Sequence, residues 1–457
     1  MAIAQRISYA ASSVGRSVAA SWDRLLFVAS VVIVSYATGI ATGHFGLPPY
    51  DTLTEVWRAG KDWAENWRTK LGIEPTQHLF VARHPGAGVV LHVEGKSDPG
   101  VTLVESVFDD RVSLRLFDNQ GNALHTWPAL YSQISPDTEL LREEDIPTND
   151  WETMVHGSAL YPDGDILFNL PGITTVRMNA CGDVEWTLPA VTHHSIHIAD
   201  DGNIWTLGRT YYEQSVPKFP GMRPKFGDDL ILEVSPEGEI LREISLLEVL
   251  YANDLVGSMF PTGHELIDGY TMNDVLHTND VETLSGKDAP AFPLFEAGDA
   301  VVSFRNLNLI IVLDPDSRKV KWSQTGPWLR QHDPDFLPDG RILVLDNRDD
   351  GADGRILGGS RLLAIDPVTR EVETIYEGTP EAPFYTSGRG TADALDNGNF
   401  LVAETEFGRV FEVTPEGELV WSFINRYDRD RVLSVNGASR YPESFGRFDR
   451  RGCSLQH

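Results

Sequence analysis

Four histidines, His156, His194, His277 and His332, hold related places in a repeated pattern, and imidazoles brought together can do three kinds of chemistry. They can hold a divalent metal through ring nitrogens, bind an oxyanion with protonated rings and nearby arginine, or offer a nucleophile to a transferable group. Three of them stand seven residues before an Asp-Gly pair: "HGSALYPDGDILF" from His156, "HSIHIADDGNIWTL" from His194 and "HDPDFLPDGRILVL" from His332. Gly390 opens a matching segment, "GTADALDNGNFLVA". "HTNDVETL" from His277 reads as another copy, interrupted by "SGKDAPAFPLFEAG" before "DAVVSFRNLNLIIVLD" resumes. Arg305 ends a strand after the His277 segment, and Arg330 and Arg389 flank two other inner positions. Guanidinium forks match tetrahedral oxyanions and are repelled by a metal cation, so the arginines favour an anion over a metal.

The elements that position these residues follow from a second, interleaved repeat. A turn followed by a strand recurs six times: "DNQGNALHTW", "NACGDVEW", "SPEGEILREI", "DPDSRKVKW", "DPVTREVETI" and "TPEGELVW". After each turn apolar residues alternate with charged ones, the signature of a half-buried strand at a sheet margin, and Trp127, Trp186, Trp322 and Trp421 close four copies. The Asp-Gly and Asn-Gly pairs of the histidine segments are hairpin turns, so those segments read as inner strands. Six outer strands alternating with inner hairpins predict an all-β fold, a six-bladed β-propeller. Inner strands line a propeller's central channel, so the four histidines converge on one axis. An alternative role for them is hydrogen bonding between blades, with no chemistry. Strand alternation turns His193 away from His194, leaving it an orienting or structural part.

The bulk numbers agree. At 457 residues the chain exceeds what one layered core holds, and 40 Gly with 27 Pro suit many short strands joined by turns. A net charge of −29 excludes nucleic acid as a partner, because it repels phosphate backbones. From Leu25 to Pro49 there is no charged side chain, and about twenty apolar residues cross a bilayer. The run is long for a signal peptide, so an uncleaved span is expected over 25–47. Arg6, Arg16 and Arg24 precede it. The positive-inside rule then puts residues 1–24 in the cytoplasm and the rest in the periplasm or outside the cell. Leu53, Val56, Trp57, Trp63, Trp67 and Leu71 recur at helical spacing, predicting an amphipathic linker helix over 48–76, followed by the propeller over 77–440 and a tail over 441–457. Cys181 and Cys453 can pair in an oxidising compartment. The loop "DNRDDGADGR" from Asp346 to Arg355 is a solvated loop or, as the alternative, a calcium loop lacking the distal glutamate of an EF-hand.

The ordered motifs "VTHHSIHIADDGNIW", "DVLHTNDVETL", "AGDAVVSFRNLN" and "GPWLRQHDPDFLPDGRILVLDNR" resemble those of the arylsulfate sulfotransferase family, and the likeness runs from about residue 80 to about residue 425. The resemblance implies a six-bladed periplasmic propeller that passes a sulfuryl group from an aryl sulfate to a phenol without phosphoadenosine phosphosulfate. By motif, His332 would be the transiently sulfated nucleophile. His194, His277, Asn279 and Arg305 would line its pocket, with Arg330, Arg389 and His156 as further binding residues. No cofactor or metal is implied. The expected partners are aryl sulfates, phenols and membrane lipid. Two rival readings stand beside this one: a catalytically inactive propeller that scaffolds other membrane proteins or a second copy of itself, and a metal-dependent hydrolase or lyase on the same ring.

Overall fold

A computed structural model describes Trp22, residues 25–44, Pro48, and residues 50–134, 136–222, 225–259, 274–448 and Cys453. Arg6, Arg16 and Arg24, on which the expected orientation rests, lie outside the described residues. The chain divides into two compact units, one ending at Leu71 and one beginning at Gly72.

The first unit is helical. Leu25–His44, α1, is a 20-residue helix of mean hydropathy 2.0 with no buried residue in its apolar window, long and apolar enough to cross a membrane. Tyr50–Lys70, α2, is the amphipathic helix. Its Lys70–Asp62 ion pair is 2.9 Å long, and Leu53, Val56, Trp57 and Trp63 are exposed.

The second unit is the propeller. Among the described residues six antiparallel sheets of four or five strands succeed one another, and a two-strand pair, Leu79–Val81 with Arg431–Leu433, stands apart from them. The five inner strands foreseen from the sequence are Ser158–Leu160, Thr192–Ile198, Thr278–Thr283, His332–Phe336 and Ala392–Ala394. The sixth comes from the far end of the chain: Val435–Pro442 pairs with Gly100–Phe108 and becomes the inner strand of the first blade. Gly88–His92, from the near end, pairs with Leu419–Ile424 and becomes a fifth, outermost strand of the last blade. The sixth turn–strand copy is therefore one strand in from the margin. Each end of the chain joins the other end's sheet, which closes the ring twice.

Each seam between neighbouring blades is filled by one apolar cluster. Leu207, Ile231, Val281 and Val302 fill one between the third and fourth blades, and Val301, Ile310, Ile342 and Val344 fill the next. Three of the four recurring tryptophans reach across these seams, while Trp322 Nε1 is buried with no hydrogen-bond partner among the described residues. Trp127 Nε1 donates to Gly164 O (3.1 Å), Trp186 Nε1 to Pro236 O (3.1 Å) and Trp421 Nε1 to Asn119 O (3.0 Å), each a turn on the following blade. A large ring that buries area while its one polar atom finds a carbonyl suits a sheet margin facing a turn. The segment after His277 packs Phe292 and Phe295 on Phe336 of the next blade, at ring-centroid distances of 5.1 and 6.1 Å. Cys181 and Cys453 form a disulfide that ties the tail to the second blade's outer hairpin.

Candidate active site in the channel

The inner strands do not run as plain extended chain where the histidines sit. His194 has φ 58°, His277 46° and Asp333 52°, and the sheet register slips between His193 and Ile196, between Thr278 and Asp280, and between His332 and Asp335. A bulge with one left-handed residue re-aims the side chains on either side of it. This corrects the expectation for His193. Its ring does not turn away but stands edge-on to that of His194 at 5.0 Å, with the two Nδ1 atoms 2.8 Å apart. Gly157 is required in the same place, because a Cβ there would lie 2.0 Å from His194 O.

The bulges gather a cluster. The rings of His156 and His194 are 4.8 Å apart by centroid, and those of His194 and His277 are 5.1 Å apart. His277 Nδ1 contacts Asp274, and Arg305 Nη1 lies 2.6 Å from His277 Nε2. An arginine only donates, so His277 Nε2 carries the lone pair and Nδ1 the proton given to Asp274. Arg209 bridges Asp229 (2.7 Å) and Asp274 (2.5 Å), and Asp229 also accepts Thr278 N (2.9 Å) and faces His193 Nε2 at 3.5 Å.

His332 is 2 % exposed. Its Nδ1 lies 2.7 Å from Asn347 Oδ1, while its Nε2 is buried with no hydrogen-bond partner in the protein. Asn347 is not free to turn: its Nδ2 donates to Thr386 O (3.0 Å) and Arg389 O (2.8 Å), so its oxygen must face His332. The His332 proton therefore sits on Nδ1, and Nε2 presents a lone pair to the channel cavity, whose lining includes His332, His156 and Asn279.

Burial sets the charge state. It holds His332 well below the usual imidazole range, with Arg305 adding to the effect, and does the same to His194 with its neighbouring imidazoles. His156 is lowered to about 3 by burial and then by Arg389. Burial also lowers His277, against the opposing pull of Asp274. The cluster is neutral imidazole with guanidinium beside it.

The remaining expected residues divide. Arg389 is held in place, its Nη1 3.4 Å from Asn436 Oδ1 on the first blade's inner strand. Asn279 Nδ2 donates to Gln331 O (2.7 Å), which ties the fourth inner strand to the residue before His332. Arg330 turns its exposed guanidinium to Asp349 (2.9 Å), and its carbonyl, not its charge, approaches His332 Nδ1, at 3.2 Å. Sequence reasoning passed over Asn347, Asp274, Arg209 and Asp229. Asn347 was legible, since it directly follows Ile342–Asp346, the strand that pairs with the His332 strand. Arg209 acts through contacts 20 and 65 residues away, to Asp229 and Asp274, and Asp274 meets His277 three residues on. In the acidic loop, Asp350 accepts four backbone N–H groups, from Ala352, Gly354, Ile356 and Leu357.

The family model for arylsulfotransferase (ASST) matches residues 156–426, more than half the chain and all eight expected site residues. The chain belongs to the arylsulfotransferase family. No curated protein matches it. Among solved structures, a protein of unknown function from Bacteroides caccae is similar at 13 % identity and TM-score 0.47, over 76 % of this chain and 100 % of that one. TolB from Acinetobacter baumannii is similar at 11 % identity and TM-score 0.41, over 75 % of this chain and 67 % of that one. Virginiamycin B lyase from Staphylococcus aureus is similar at 13 % and 0.33, over 63 % and 84 %. These likenesses are distant, and the blade count rests on the six sheets themselves. As an arylsulfotransferase-family chain, it places neutral imidazoles and guanidinium groups together in its channel.

Proposed function

We propose that this propeller moves a sulfuryl group from an aryl sulfate ester to a phenolic acceptor through an N-sulfated His332. The observation that carries the reading is the His332 ring, which lines the cavity: one nitrogen is fixed as donor by Asn347, and the other is buried and without a partner among the described residues. In the first half-reaction the Nε2 lone pair attacks sulfur in line, the N–S bond forms, and the S–O bond to the ring breaks with its electron pair leaving on the phenolate. In the second, the acceptor's phenolic oxygen attacks sulfur, the N–S bond breaks, and His332 recovers its lone pair. Neutral His194, its Nδ1 2.8 Å from that of His193, takes the acceptor's proton and releases it to solvent, from which the departed phenolate is protonated, so the cycle closes. Arg305 and Arg389 stabilise charge on the equatorial sulfate oxygens.

The apolar helix α1 supports a single membrane anchor, and the Cys181–Cys453 bridge supports a propeller on the oxidising side of that membrane. The test of activity is acceptor-dependent release of the aryl alcohol from a chromogenic aryl sulfate. Parallel double-reciprocal lines with donor and phenol varied are the expected pattern for alternating half-reactions. Absence of turnover across several donors would leave the inactive scaffold as the better reading.

A further inference from the structure

The cavity that His332 and His156 line is otherwise acidic. Its volume is about 130 Å³, and beside the histidines it is lined by Glu105, Asp280, Glu282, Asp333, Asp335 and Asp393, with no lysine or arginine among the described residues. Three of these, Asp333, Asp335 and Asp393, place one carboxylate oxygen each within 4.8 Å of one another. A calcium ion bound at about 2.3–2.6 Å sets opposed ligands about 5 Å apart, so the three oxygens fit a single coordination sphere. A separate observation comes from the neighbouring blade. Asp280 is 5 % exposed and lines the same cavity, and its Oδ2 is buried with no hydrogen-bond partner. An orphaned carboxylate oxygen costs free energy unless a cation or proton meets it, and buried charges are paired or coordinate metals. The remaining contacts are neutral: the Asp280 carboxyl bonds Ser195 and Val281 N, Asp333 accepts Ala392 N (2.6 Å), Asp393 bonds Ser439, and Asp335 meets another carboxyl, Glu282.

We infer that the channel holds a calcium ion bound by Asp333, Asp335 and Asp393, in a cavity that Asp280 and Glu282 also line. Hard oxygen donors with no nitrogen or sulfur select calcium over transition metals. The ligands sit on inner strands of successive blades, so the ion would clamp the fifth blade to the sixth one residue past His332.

The test uses the full-length chain in detergent, stripped with a chelator and titrated with calcium chloride by calorimetry. Thermal melts with and without calcium are run in parallel. Saturable binding of one ion per chain and a raised melting temperature are expected, with affinity reduced at least tenfold in Asp393→Asn and in Asp335→Asn. The melts show whether each variant is folded, and the wild-type titration decides the matter without them. Absence of saturable calcium binding by the folded wild-type protein would overturn the inference and leave the carboxyls held by shared protons. Unchanged affinity in both folded variants would overturn it equally.

Discussion

The same inner strands build two opposite regions of one channel. Where each strand begins, His194, His277, His332 and Arg389 assemble neutral imidazole and guanidinium; from one residue past His332 onward, Asp280, Glu282, Asp333, Asp335 and Asp393 assemble carboxyls with no lysine or arginine beside them among the described residues. Both regions are buried, and burial acts on them in opposite senses. It lowers the histidines, which stay uncharged and nucleophilic, and raises the carboxyls, Glu282 to about 7, where each also feels its neighbours. The contrast teaches that a propeller channel is read by depth: residue type matters less than how far along its strand a residue lies.

The sharpest way to break the contrast is to remove the nucleophile. His332→Ala should lower kcat by a thousandfold or more, on the order of what loss of a covalent nucleophile costs, with the fold intact by circular dichroism. Next comes the guanidinium beside it. Arg305→Ala should cost about a hundredfold in kcat/KM, roughly 3 kcal/mol, and Arg305→Lys should recover only part of this because a point charge lacks the fork. Asn347 acts through His332 as a positioning residue. Asn347→Ala should lower kcat by about tenfold to a hundredfold with KM little changed, since the imidazole loses its fixed tautomer and orientation while the sulfate contacts remain.

The pH dependence of stability carries opposite contributions from the two regions, since the raised carboxyls favour the folded state as pH falls, and the histidine part is isolated by a single variant. His156 stays neutral down to about 3 in the folded chain, whereas an unfolded histidine takes a proton near 6.5. Between those values the unfolded state binds more protons, so stability falls as pH falls from 6.5 toward 3. His156→Phe should flatten that limb of a melting-temperature profile by several degrees. The smallest effect is expected at Arg330, whose exposed guanidinium pairs with Asp349: Arg330→Ala should change kcat/KM by less than about twofold.

What the sequence made legible follows the same logic. Turn pairs such as Asp339-Gly340 mark hairpins because left-handed glycine is a local requirement, and Gly340 indeed has φ 89°. Four inner strands could be placed that way, and the fifth, with His277, by its likeness to them, as could the convergence of His156, His194 and His277. The sixth, Val435–Pro442, is set by pairing with Gly100–Phe108 more than 300 residues away, and no local signal marks it. His193 was misplaced because alternation holds only for regular strand, and the bulge at His194 breaks it. Asp274 and Arg209 escaped because their meaning lies in whom they touch.

The most direct measurement incubates the protein with aryl sulfate and no acceptor, then locates any added sulfuryl group by peptide mass spectrometry. One sulfuryl group on His332, released when phenol is added, is the predicted result. Rapid release of the aryl alcohol with no modified His332, or with the group on another residue, would contradict the account.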